Sequence, residues 1–203
     1  MAYEVQVSGA ESRLSRPSDP TDPRPIAAAK ARDIATGSPY TSVLAGDTIV
    51  VLDRQGLGKP ASPPAAHAML AALRGRRHVV RTAIALAQGG ALVTAEVACP
   101  VLMRPYSDEE IGQYVASGEP LDCAGAYDVH RLGGRLVERV EGCFSTVVGL
   151  PIVETAERLR AAGLRLPPDP AAVCSALYGR RCLGADPATA PACRATEAPF
   201  PPA

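Results

Sequence analysis

Two hydrophobic periods alternate along this chain, and the places where one gives way to the other mark its elements. From Thr48 to Leu52 five apolar or β-branched residues run unbroken, which predicts a buried strand. Asp53-Arg54-Gln55-Gly56 then turns the chain back. His78–Leu86 and Ala91–Met103 read as two further strands, joined as a hairpin through Gln88-Gly89-Gly90. Leu136–Val140 reads as another, and Tyr3-Glu4-Val5-Gln6-Val7 alternates as a half-buried strand does. Gly142–Gly149 reads as a β-rich turn.

Helical spacing fills the gaps. Asp22-Pro23 opens a helix, with Asp as cap and Pro at the first position; Ile26, Ala27, Lys30 and Ile34 follow, and Gly37 ends it. Ser62-Pro63 opens a second, with Ala66, Met69, Leu70 and Leu73 as its apolar stripe and Gly75 as its stop. Ser107 and Glu110 form a capping box, and the helix behind them buries Ile111, Tyr114 and Val115 before Gly118. Pro151 begins a last helix that turns Ile152, Ala156 and Leu159 inward, with Glu154 and Arg158 as a surface pair four residues apart. From Pro167 the chain becomes Pro, Ala, Gly and isolated Cys without a sustained period, which predicts a disordered tail. The boundaries are a domain over residues 1–165 and a Pro/Ala-rich tail over 166–203. Strands and helices alternate irregularly, with hairpins among them. This predicts an α/β domain with a mixed sheet rather than a doubly wound one.

Composition narrows the function. The chain has 203 residues and 47% hydrophobic content, enough for one real core. Lys+Arg 21 balances Asp+Glu 21, so no basic field argues for duplex nucleic acid or an anionic membrane. With Trp 0 and Phe 2 there are few stacking platforms for single strands. No apolar run approaches a bilayer span, and the cytoplasm is the expected location. Six scattered cysteines without a C-x-x-C pair read as buried or free thiols, not as a zinc site or disulfide framework.

Candidate chemistry gathers around the Thr48 strand. Asp47 sits at its mouth, and Lys59 lies beyond the turn between Gly58 and Pro60. A carboxylate and an ammonium there suit one metal–phosphate group, because one binds the cation and the other neutralises the oxygens. An ordinary surface hairpin with charged ends is the plain alternative. His78 has no local partner and reads as structural. Asp122-Cys123-Ala124-Gly125-Ala126-Tyr127 is small enough for close approach of a ligand or another strand. There is no G-x-G-x-x-G and no G-x-x-x-x-G-K-[ST], so dinucleotide and P-loop chemistry are unsupported.

Five runs, in order, resemble the Maf family of nucleoside triphosphate pyrophosphatases. They are G-D-T-I-V-V-L-D-x-x-G-L-G-K-P from Gly46, A-x-x-M-L-x-x-L-x-G-R-x-H-x-V-x-T from Ala66, Y-V-A-S-G-E-P-L-D from Tyr114, A-G-A-Y from Ala124, and E-G-C-F-S-T-V-V-G-L-P from Glu141. The resemblance implies a Maf/ITPase-like fold with flanking helices and a central cleft, often dimeric. It implies hydrolysis of nucleoside triphosphates, of the dTTP/UTP kind, to monophosphate and pyrophosphate with magnesium or manganese. Asp47 would be the proton acceptor and a metal ligand, and Glu11 a second metal ligand. Lys30, Thr48 and Lys59 would bind substrate. His130 stands where the pyrimidine-type members carry a glutamine that contributes to substrate choice. The family's S-x-S-x-R-R phosphate loop has no counterpart ahead of the first strand, and Ser12-Arg13-Leu14-Ser15-Arg16 echoes it only on the wrong side of that strand. A non-catalytic nucleotide- or protein-binding role, linked to septum formation, is therefore the alternative.

Overall fold

The run around Thr48 grows into a strand twice the length of its apolar core. The computed structural model, which describes residues 3–13, 18–37 and 41–183, begins with α1 (Ala10–Arg13), α2 (Arg24–Gly37), β1 (Val43–Leu52) and β2 (Gln55–Leu57). It continues through α3 (Pro63–Leu73), β3 (Arg77–Gln88), β4 (Ala91–Met103) and α4 (Asp108–Ala116). Three short 3-10 turns lead to β5 (Val137–Val140), and α5 (Phe144–Val148), α6 (Ile152–Ala161) and α7 (Pro170–Tyr178) follow.

The five strands form one sheet in the order β2-β1-β3-β4-β5. Helices cover it on both faces, as the α/β reading expects, and every pairing is antiparallel. Local chemistry dictates this for two of the four pairs. Asp53 and Arg54 both take positive φ (50° and 66°), and Gly89 and Gly90 do likewise (56° and 85°). Two-residue loops of that hand match the strand twist and join only antiparallel neighbours. Gly56 is needed for a different reason. A Cβ there would lie 2.2 Å from the Pro20 carbonyl oxygen, so the segment before α2 can cross the hairpin only over a glycine.

The register assigns each residue to a face. Thr48 stands opposite Thr82 and Asp47 opposite Ala83. On the Asp47 face, buried Ala83, Ala85 and Ala87 meet Ala27 and Ala31 of α2. The small side chains let the helix lie close to the strands. On the Thr48 face, Val50, Val80, Val101 and Met103 pack on Leu70 and Leu73 of α3 and Ile111 of α4. Buried Tyr106 ties this layer together by donating to the Leu70 carbonyl at 2.7 Å. Its phenol pKa is pushed up by burial, so it stays a donor.

Several expectations need correction. Tyr3–Val7 has the alternation of a strand, but Tyr3, Val5 and Val7 are at least 82% exposed and have no ladder partner among the described residues. The Ser12–Arg16 run lies mostly outside the described residues. Gly142–Gly149 is not a β turn. Phe144–Val148 winds as α5 because Ser145 and Thr146 are fully buried against the sheet, and tertiary contact overrides β-branched preference. Glu154 and Arg158 do pair at i,i+4, yet Glu154 is only 2% exposed and Arg158 13%, so this is a buried ion pair. The predicted tail contains α7. Asp169 caps it by accepting the Ala172 N–H at 2.9 Å, Pro170 fills its first turn, and Gly179 ends it in the left-handed region. Ala171 and Cys174 are buried in a cluster with Cys143 and Val153. Residues 184–203 lie outside the described set.

Candidate active site

The site is built on an incomplete edge. β2 pairs only with Val50, Val51 and Leu52, so from Val43 to Ile49 the outer edge of β1 has no ladder partner among the described residues. In a two-residue hairpin the flanking Leu52 and Gln55 exchange backbone bonds. Alternation along the strand then turns the N–H and C=O of Leu44, Gly46 and Thr48 toward the bare edge. A cleft of about 610 Å³ runs along this edge and takes in both faces of the sheet.

Its charged wall lies on the α2 face. Asp47, directed there by the register, receives the Lys30 ammonium at 2.8 Å (Nζ–Oδ1), with 13% and 21% of the two side chains exposed. Lys30 is placed by a clasp at the start of its helix. Asp22 accepts the Arg24 N–H at 2.9 Å and holds the Arg24 guanidinium through both oxygens. Burial works to raise the Asp22 pKa, but the Arg24 hydrogen bonds and charge outweigh it, and the net value is lowered. Below it, Arg81 forms a bidentate pair with Glu96 (2.7 and 2.9 Å) and donates to the Thr21 carbonyl at 2.7 Å, which pins the entry to α2 against the sheet. The Glu96 hydrogen bond raises the already high Arg81 pKa.

The opposite wall is apolar. Val50, Val80, Tyr127 and Val147 line it, and Thr48 stands among them. Thr48 Oγ1 lies 2.9 Å from Thr82 Oγ1, and Thr82 donates to the Thr146 carbonyl at 2.7 Å. Tyr127 is fixed from behind by His78, whose Nε2 lies 2.7 Å from the phenolic oxygen. Burial drives the His78 pKa from 6.5 to about 4, so the ring is neutral, and burial also raises the Tyr127 phenol well above its ordinary value. The structural role read for His78 is thus the one it has. Gly125 brings the Asp122–Tyr127 segment against β1: a Cβ there would lie 2.7 Å from Val50 Cγ2.

The rim carries the second lysine. Lys59 reaches Asp122 at 2.5 Å, with 59% and 89% of the side chains exposed, and its hydrogen bond lowers the Asp122 pKa. Asp47 and Lys59 therefore share the cleft, though each is paired elsewhere.

Lys30, Asp47, Thr48 and Lys59 all line the cleft. Glu11 lies on α1, and its side chain is outside the described set. His130 does not line the cleft. Its N–H donates to Asp128 Oδ1 at 2.8 Å, and its ring meets the Tyr178 ring edge-on at 5.6 Å. The partner that draws it away is on α7, within the stretch read as tail. Sequence reasoning missed Asp128 as a lining residue and the Thr82–Thr146 bond, since only register and the docking of α5 place them. Among the described residues no three His, Cys, Asp or Glu side chains cluster as a metal cage. The cleft offers Asp47, Asp122 and Asp128 separately. That donor set suits magnesium or manganese, which take one or two carboxylates and fill the remaining positions with phosphate oxygens and water.

The fold and the cleft define an α/β protein suited to a ligand that is anionic at one end and apolar at the other. The family model described as Maf-like protein matches residues 1–162, and the chain belongs to that family. It is 43% identical over 171 residues to the dTTP/UTP pyrophosphatase of Anaeromyxobacter dehalogenans strain 2CP-1, covering 82% of this chain and 87% of that protein. It is 40% identical over 154 residues to the dTTP/UTP pyrophosphatase of Gloeobacter violaceus, covering 75% and 80%. Against that of Shewanella denitrificans it is 46% identical over 123 residues, covering 61% of this chain and 62% of the relative.

Proposed function

We propose that this cleft hydrolyses pyrimidine nucleoside triphosphates, dTTP and UTP foremost, to the monophosphate and pyrophosphate. The observation that carries the proposal is the Lys30–Asp47 pair set across β1 from an apolar wall, in a chain with relatives that bear that activity. The base lies against Val50, Val80 and Val147, and the triphosphate runs past the strand edge toward Lys30 and Lys59.

Hydrolysis breaks the α–β anhydride. A water oxygen bonds to phosphorus, the bridging oxygen leaves with pyrophosphate, and the water proton passes to Asp47 as general base. Lys30 exchanges Asp47 for a phosphate oxygen as substrate enters, and Lys59 exchanges Asp122. Each lysine then offsets charge that grows on the leaving group. The outward-facing N–H of Gly46 can donate to the same oxygens. Asp47, with Glu11 from α1, would hold a divalent cation, which supplies charge neutralisation and orients the attacking water when bound. The proposal gives His130 no contact with substrate. Among the described residues no helix is long and apolar enough to cross a membrane.

The test is pyrophosphate release from dTTP, UTP, CTP, ATP and GTP with magnesium or manganese, on the wild type and Asp47→Asn. Asp47→Asn keeps the size of the side chain and removes the base, and a loss on the order of a hundredfold is expected. Undiminished turnover in the folded variant would remove Asp47 from the chemistry.

A further inference from the structure

The three threonines beside the apolar wall fix the direction of one proton. A hydroxyl has one proton to donate. Thr82 must spend its own on Thr146, because a carbonyl oxygen only accepts (2.7 Å). Its 2.9 Å contact with Thr48 Oγ1 must then be donated by Thr48. Thr82 is 0% exposed, so no water can take its place in the relay. Thr48 therefore faces the cleft with lone pairs alone.

We infer that Thr82 is a positioning residue for base selection, holding Thr48 as a pure acceptor that takes the ring N3–H of uracil or thymine and rejects cytosine. This rests on the pyrimidine triphosphatase reading above and deepens it. Phosphate oxygens are acceptors, so Thr48 in this state repels them, whereas the apolar wall on its own face suits a base. Uracil and thymine carry a proton at N3. Cytosine has a bare lone pair there, so acceptor would face acceptor. Replacing Thr82 by valine removes the oxygen that receives the Thr48 proton. Thr48 then rotates freely, donates to cytosine N3 as readily as it accepts from uracil N3, and loses its discrimination. Thr82→Ser restores the relay.

The experiment compares kcat/KM for UTP and CTP in the wild type, Thr82→Val and Thr82→Ser, with folding checked by circular dichroism. The expected result is a UTP:CTP ratio that falls by roughly tenfold in Thr82→Val, as for one base-reading hydrogen bond, and that Thr82→Ser recovers. An unchanged ratio in folded Thr82→Val overturns the inference, as does a change confined to the metal requirement. Should Thr82→Val not fold, Thr48→Val removes the acceptor directly and should level the same ratio; an unaltered ratio there also overturns it. If the wild type hydrolyses no triphosphate, the functional proposal falls, and calorimetric binding of UMP against CMP decides this inference separately. A wild-type preference for UMP that Thr82→Val abolishes supports it, and equal binding to both proteins refutes it.

Discussion

Acidification should destabilise this protein through His78, and the size of the effect can be worked out. The ring is 3% exposed and hydrogen-bonded to Tyr127, and burial lowers its pKa from the ordinary 6.5 to about 4. The folded state thus keeps the ring neutral over a range in which the unfolded chain binds a proton. The unfolded state binds more protons between those values, so stability is lost as pH falls from 6.5 and the loss levels off below 4. At about 1.4 kcal/mol per pH unit, the gap between 6.5 and about 4 amounts to roughly 3 kcal/mol, with about 2 kcal/mol gone by pH 5. Carboxylates titrate in the same range, so the measurement is a difference. Urea unfolding at pH 7.5, 6, 5 and 4.5 would be compared between the wild type and His78→Gln, which keeps a polar group near Tyr127 but has nothing to titrate. At pH 7.5 the variant should be less stable by about 1–2 kcal/mol for the altered packing and hydrogen bond. By pH 5 that deficit should have closed. Two stability curves that stay parallel across the range would refute the reasoning, because the ring would then take up its proton equally in both states.

Other outcomes follow from the same contacts. Arg158→Met strips the buried Glu154 carboxylate of its 2.6 Å guanidinium partner and should cost at least about 2 kcal/mol in urea unfolding, where an exposed i,i+4 pair would cost a few tenths. Gly125→Ala places a Cβ 2.7 Å from Val50 Cγ2 and 2.9 Å from Val50 Cβ at a φ of +67°, and should lower stability by about 1–3 kcal/mol in the same urea unfolding. His130→Gln should leave the order of preference among triphosphates unchanged, since the ring lies against Tyr178 outside the cleft; a shifted order in the pyrophosphate-release assay would place it back in the site. Tyr106→Phe removes one of the two hydrogen bonds to the Leu70 carbonyl, which keeps the Arg74 N–H at 3.0 Å, and should cost about 0.5–1.5 kcal/mol in the same unfolding measurement.

Chemistry that acts over a few neighbouring residues was legible from the sequence. The caps at Ser62 and Ser107, the turns at Asp53-Arg54 and Gly89-Gly90, and the strand periods from Thr48 and His78 all arise from local hydrogen bonds, φ preferences and alternation. Asp47 and Lys59 could be singled out for the same reason, since one strand and one turn carry them, whereas Thr48 was marked as a site residue only by the family resemblance. Asp169-Pro170 and Gly179 are local signals too, and α7 could have been read from them had composition not argued for a tail. Everything that depends on what approaches from far along the chain was decided by the tertiary structure. The alternation of Tyr3–Val7 promised a strand, but a strand needs a neighbour to take its backbone bonds, and none of the described residues does so. Glu154–Arg158 showed the spacing of a surface pair, and the docking of α6 made it a buried one. His130 was drawn to Tyr178, a residue 48 positions away. Thr48 is an acceptor only because Thr82, 34 residues on, gives its proton to Thr146, a further 64 residues along. Periodicity says which face a side chain occupies; only packing decides what it meets there, and for a hydroxyl that contact decides which way its proton points.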